Sequence, residues 1–132
     1  MKNFILTIVA LSFLDTTIFA CTCLPSENAT KELEQSTAVF CGRVLEVRRN
    51  QQETGLFTRV EAVFEVERIW KGVEKRTINV FTSSQSSACG YEFKKGKEYL
   101  VYASRDAEGR LITSICSRTR RMKEAGDDLK EL

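Results

Sequence analysis

The apolar positions fall into runs of different texture, and the texture assigns most elements. Phe4 to Leu14 (FILTIVALSFL) is continuous, follows Lys2 and is too short to span a bilayer, so residues 1–20 read as a secretory signal peptide. Asp15 to Ala20 forms its c-region, with cleavage expected after Ala20. A polar run rich in helix formers, Glu27 to Ser36, predicts a short surface helix with Ser26 as its N-cap. From Ala38 the pattern turns to β. AVFCGRVLEVRR, the turn NQQETG and LFTRVEAVFEVERIW predict a long hairpin. In its second arm Thr58, Val60, Ala62, Phe64 and Val66 share one face, while Arg59, Glu61, Glu65 and Glu67 mostly take the other. The first arm alternates less cleanly around Gly42, which predicts a bulge or bend there.

RTINVFTS predicts a third strand after the turn KGVEK, EYLVYAS a fourth, and RLITSICS a fifth, running to Cys116. Ser83 to Gly90 and Asp106 to Gly109 are the connecting loop and turn, and Arg121 to Leu132 is a final helical tail weakened by Gly126. Five short, antiparallel-looking strands with small flanking helices predict an all-β fold, first a five-stranded OB-like closed β-barrel, since closure removes exposed edges. A sandwich is the alternative pattern. Residues 21–132 are expected to form one domain, 112 residues long, with the helical tail at its C-terminal end.

Composition narrows the chemistry more than charge does. The net charge of +2 gives no reason to expect a nucleic-acid partner. The chain has no histidine, which removes Ser-His and Cys-His nucleophilic machinery and the commonest zinc ligand, so an enzyme is not expected. No membrane partner is expected once the signal peptide is gone. All five cysteines, Cys21, Cys23, Cys41, Cys89 and Cys116, follow the cleavage site, and a secreted chain oxidises such thiols. Two bridges and one free thiol can be drawn in five times three ways. Cys21 and Cys23 point to opposite sides of an extended segment and each needs a distant partner. Oxidation leaves no thiolates for a metal, and no second close pair completes a zinc site.

Other features have modest readings. Asn28-Ala29-Thr30 is an N-glycosylation sequon, with Asn28 the acceptor. Cys41 reads as a buried free thiol, its alternative being a disulfide to another chain. Arg118, Arg120, Arg121 and Lys123 offer a site for heparin-like glycosaminoglycans, although Glu124, Asp127 and Asp128 favour a solvated, neutralised helix face. Trp70 reads as packing.

Taken in order, CTCLP directly after the signal peptide, VFCGRV, RIWKG, SSACGYEF, KEYLVYA and ITSICS carry a resemblance. Residues 21–117 resemble the N-terminal domain of the tissue inhibitors of metalloproteinases, within the wider netrin-like module family. The resemblance implies an OB-like barrel that inhibits zinc endopeptidases of the matrix metalloproteinase or metzincin type with its own N-terminus. The α-amino group and carbonyl oxygen of Cys21 would chelate the protease's zinc, so that the only metal contact is to the partner's ion and the protein has no cofactor of its own. Thr22 would enter the S1′ pocket, with Cys23, Leu24 and Pro25 continuing along the cleft. Ser86, Ser87 and Ala88 would lie on the other side of the zinc. Pairing Cys21 with Cys89 and Cys23 with Cys116 would hold this edge in place. The chain departs from the family in lacking the third cysteine pair and the usual C-terminal domain, and NQQETG is too short for a long hairpin beside the cleft. The expectation is therefore a secreted, extracellular inhibitor; the alternative is a netrin-like matrix- or heparin-binding module without inhibition. A bacterial lipoprotein, with Cys21 lipidated, is a further rival that Phe19 fits poorly.

Overall fold

The computed structural model describes residues 21–24, 26–49, 58–84 and 88–132. Residues 1–20, expected as the signal peptide, Pro25, residues 50–57, which include the expected NQQETG turn, and residues 85–87, with Ser86 and Ser87, lie outside the described residues. The elements are α1 (Ala29–Gln35), β1 (Ala38–Arg49), β2 (Arg59–Lys71), β3 (Thr77–Ser83), β4 (Glu98–Arg105), β5 (Leu111–Ile112), β6 (Arg120–Arg121), a 3-10 turn (Met122–Glu124) and α2 (Gly126–Glu131).

The strands pair in the order β1-β2-β3-β5-β4-β6, and β1 also pairs with β4, so the first five strands form a ring. Four of its seams are antiparallel, but β3 and β5 run parallel, with Val80 opposite Leu111 and Phe81 opposite Ile112. The expectation of purely antiparallel strands is corrected here. The predicted fifth strand is corrected as well: only Leu111 and Ile112 are in it, because the chain then turns so that Thr113 and Thr119 can use their hydroxyls.

The ring's interior explains the alternation of β2. Val60, Ala62 and Phe64 are buried, and Phe64 meets Phe40, Phe93 and Tyr99 edge-on, with ring centroids 5.2–6.3 Å apart. Such pairs contribute about 0.5–1.5 kcal/mol each beyond their buried area. The first half of β1, Ala38–Gly42, and the middle of β4, Tyr99–Ala103, read differently because they are buried on both faces. Phe40, Val44, Tyr99 and Val101 face the ring core, while Val39, Leu100 and Tyr102 form a second cluster with Ala125, Trp70, Met122 and Leu129. Trp70 is thus a packing residue, with the Arg68 guanidinium 4.7 Å from its ring centre.

Gly42 marks a break in register between Cys41 and Gly42. A Cβ at this position would lie 2.5 Å from the Glu65 carbonyl oxygen, so close strand approach requires glycine. Gly72, at φ +70°, turns β2 toward β3 in the left-handed region. The N-cap of α1 is Asn28 rather than Ser26: the Asn28 Oδ1 accepts from Lys31 N at 2.8 Å.

Candidate functional site

The strip Cys21–Leu24 lies outside the strands, and its burial alternates: Cys21 and Cys23 are half-buried, Thr22 and Leu24 exposed. The alternation follows from extended backbone, which sends successive side chains to opposite sides. The inward pair is bridged, Cys21 to Cys89 with a Cα–Cα distance of 5.4 Å and Cys23 to Cys116 with 4.9 Å. The two bridges touch, with Cys116 Sγ 3.7 Å from both Cys21 Sγ and Cys89 Sγ. The sulfurs of Cys21, Cys23 and Cys116 thereby cluster within 4.8 Å, but as disulfides they supply no thiolate for a metal.

The loop anchors are themselves fixed. Cys89 has φ 60°, a left-handed conformation rare for a residue with a side chain, and its carbonyl accepts from Ile115 N at 3.0 Å. Beside it Ala88 is exposed. The turn carrying Cys116 is built from hydroxyls: Thr113 Oγ1 donates to the Tyr102 carbonyl at 2.9 Å, and Ser114 Oγ accepts from Cys116 N at 3.1 Å. Thr119 Oγ1 accepts from Tyr102 N at 3.0 Å, so these side chains replace the backbone ladder that a longer β5 would have made.

Arg118 ties this turn to both ends of the described chain. Its Nη1 donates to the Ser26 carbonyl at 3.3 Å, and its Nε and Nη2 grip the Asp128 carboxylate, the former at 3.0 Å. Asp128 is only 1% exposed, and Tyr102 donates to it from its hydroxyl at 2.8 Å. Burial alone would push the Asp128 carboxyl up; the hydrogen bonds from Arg118 and Tyr102, with the charges of Arg120 and Arg118, outweigh it and hold the group below the usual carboxylate range. Burial, then the bond to Asp128, raises the Tyr102 phenol. The Asp128 expected on a solvated face is therefore corrected: it is the buried anion that Arg118 neutralises, whereas Asp127 is exposed.

The structure thus gathers Cys21, Thr22, Cys23, Leu24, Ala88, Cys89 and Cys116 at one end of the ring. Asn28 is exposed on the N-cap of α1. Cys41 is elsewhere, buried in β1 without a bridge, its thiol pushed up by burial and by the Glu67 charge. Leu24 was expected at this edge, but its neighbour Ile115 went unread in the sequence. Ile115 is 47% exposed directly before Cys116, and Leu24 is 94% exposed directly after Cys23, so the bridge sets two uncovered apolar side chains beside it.

Among the described residues no helix is long and apolar enough to cross a membrane. Two disulfides in so small a fold belong to oxidising compartments. The family model described as tissue inhibitor of metalloproteinase matches residues 19–127, which takes in the strip, the ring and both bridges. The chain belongs to the tissue inhibitor of metalloproteinase family, a family of inhibitors rather than enzymes. It is also similar to an NTR domain-containing protein of Margaritifera margaritifera, 29% identical over 101 residues. That match covers 74% of this chain and 66% of the relative, just under two thirds of its length.

Proposed function

We propose that the protein is a secreted inhibitor of zinc metalloendopeptidases that blocks its target with its own first residues. Removal of residues 1–20 would make Cys21 the N-terminus. Its α-amine and carbonyl oxygen then form a five-membered chelate on the protease's catalytic zinc, taking the position that such a zinc keeps open for water. The amine has an ordinary pKa near ~8, so its neutral, ligating form is available at neutral pH at small cost. Thr22 enters the S1′ pocket; Leu24 and Pro25 follow the cleft, joined by Ile115. Ser86, Ser87 and Ala88 occupy the far side of the zinc.

The observation that carries this reading is the strip: Thr22 and Leu24 stand exposed while the cysteines on either side of Thr22 are bridged. A wedge ordered in advance loses little conformational entropy on docking, so a short contact can bind tightly. The strand order of the ring supports the OB-like barrel as its platform. Secretion and glycosylation at Asn28 complete the proposal. The heparin-binding alternative has less support, because Arg118 and Arg120 are drawn to Asp128.

The test compares protein beginning at Cys21 with a version carrying one added alanine before it, on a panel of metzincin-type proteases. The added residue converts the amine to an amide, which has no lone pair to give, and inhibition should fall by orders of magnitude. Equal inhibition by both, or none by either, overturns the mechanism.

A further inference from the structure

β3 runs toward the stapled end: Ser83 leads toward Cys89, whereas Thr77 lies at the far end of the strand, roughly 20 Å away at 3.3 Å per residue. There the ring is thin. Val66 N donates to the Arg76 carbonyl at 2.7 Å and Ser84 N to the Thr58 carbonyl at 2.8 Å, which assigns the even-numbered backbone groups of β3 to the β2 ladder. Those of Thr77, Asn79 and Phe81 face the opposite edge. β5 uses Phe81, whose carbonyl accepts from Thr113 N at 2.9 Å, and the register at Val80 and Leu111 also takes the Asn79 carbonyl. The next acceptor in the ladder would be the Gly109 carbonyl, and the Arg105 guanidinium already holds it at 2.7 Å. The N–H of Asn79 and both backbone groups of Thr77 are left without a partner among the described residues.

This edge borders a groove of about 840 Å³ between the β2–β3 turn and the β4–β5 turn, a volume suited to a ligand. Val73, Ile78 and Leu111 supply apolar lining. The β4–β5 wall is rigid, since Asp106 accepts from Arg110 N, Arg110 Nε and Arg59 Nη1 at 2.8–3.1 Å. Arg110 is neutralised there by Asp106 and Glu108, but Lys75 and Arg105 line the groove with no ion pair among the described residues, against the one carboxylate of Glu74. Arg76, exposed at the same turn, adds a further cation.

We propose that this groove takes an extended acidic peptide of a partner protein, added as a strand along Thr77–Asn79. The unpaired N–H and C=O groups give the peptide a ladder, alternate apolar side chains reach Ile78 and Leu111, and its carboxylates meet Lys75 and Arg105. A sulfated glycan would satisfy the cations but would leave the backbone edge and the apolar lining unused. The site is separate from the inhibitory strip, so one molecule has room for both partners.

The test is NMR titration of the 15N-labelled, oxidised protein with Ac-Glu-Val-Glu-Val-Glu-NH2, with Ac-Lys-Val-Lys-Val-Lys-NH2 and with a heparin-derived tetrasaccharide. The acidic peptide should shift the amides of Thr77, Asn79 and Gly109 saturably, with a Kd of about 0.1–1 mM. Lys75→Glu should weaken it about tenfold, equal to ~1.4 kcal/mol. Asn79→Pro removes the groove-facing N–H without touching the β2 ladder and should abolish binding, whereas Asn79→Ala, which loses the same contact to Glu61, should bind normally. Should the proline variant not fold, Lys75→Glu decides. No saturable shift up to about 5 mM acidic peptide, several times the weakest expected Kd, overturns the proposal. Equal binding of the lysine peptide overturns it too, as does the tetrasaccharide shifting these amides when the acidic peptide does not.

Discussion

Replacing Asp128 by alanine should cost this protein about 3–4 kcal/mol, a large part of the stability of a domain this size. The substitution removes one acceptor group and leaves two donors behind. The Tyr102 hydroxyl, on a residue 1% exposed, cannot turn to water, and an orphaned buried donor costs about 1–3 kcal/mol. The Arg118 side chain is 20% exposed and keeps its bond to the Ser26 carbonyl, so it recovers part of its hydration and adds about 1–2 kcal/mol. Tyr102→Phe alone leaves the carboxylate in the grip of Arg118 and should cost about 1 kcal/mol. The two changes should not add. In the alanine background, Tyr102→Phe deletes the orphan and should restore about 1 kcal/mol. Urea unfolding of the four proteins, followed by the fluorescence of Trp70 with disulfides intact, measures each value. A loss below about 1 kcal/mol in Asp128→Ala, or simple additivity in the double variant, would show that the buried carboxylate does not bind the C-terminal helix to the sheet.

The same carboxyl sets a pH dependence: because its folded-state pKa is depressed, its contribution is fully present above the ordinary aspartate value near ~4 and is lost as pH falls through the depressed value. The urea midpoint should therefore drop on acidification more steeply in the native protein than in Asp128→Asn. Changing Cys23 and Cys116 to serine opens a loop of about 30 residues, since Cys21–Cys89 still shortcuts the rest, and the expected loss is ~3.5 kcal/mol by the chain-entropy model. Inhibition, if the strip is the inhibitory edge, should weaken further than this variant's folded fraction explains. Cys41 should resist a thiol reagent at pH 8 in the folded protein and react at once in urea, because burial and Glu67 disfavour its thiolate; rapid modification of the native state would place it elsewhere.

The strand pattern was legible where one face is wet. Val60, Ala62 and Phe64 alternate because β2 has a core side and a solvent side, and Gly42 announced its irregularity because only glycine tolerates the Glu65 carbonyl so near. Ala38–Cys41 of β1 and Tyr99–Ala103 of β4 are unbroken apolar runs, since the helices cover their second face, and periodicity carries no information about a stretch buried on both sides. β5 was overread: Leu111, Thr113 and Ile115 alternate convincingly, but the hydroxyls of Thr113 and Thr119 offer the Tyr102 backbone another partner and let the chain turn toward Cys23. Asp128 was misread for a plainer reason. It stands beside Asp127 in a polar tail, and nothing in two adjacent aspartates says which one a distant tyrosine and arginine will bury. The exposed strip was legible through its cysteines, while Ile115 needed the turn in three dimensions.

Glu131 reaches from the end of α2 to the start of α1, where its Oε2 accepts from Ala29 N at 2.9 Å and from Thr30 N at 3.4 Å, across 102 positions of sequence in the first case. The amide of the fully buried Ala29 exchanges its proton with solvent when the carboxylate lets go, and that of the exposed Thr30 is slowed by the same contact. Their exchange rates are therefore a clock for the undocking of α2. Because Arg118 links the same helix to Ser26, fraying that starts at the last turn is transmitted to the segment just behind the strip. The first turn of α1 and the last turn of α2 are thus expected to open as one cooperative unit, and a loss of protection at Ala29 would be the earliest sign that the segment behind the strip is losing its support.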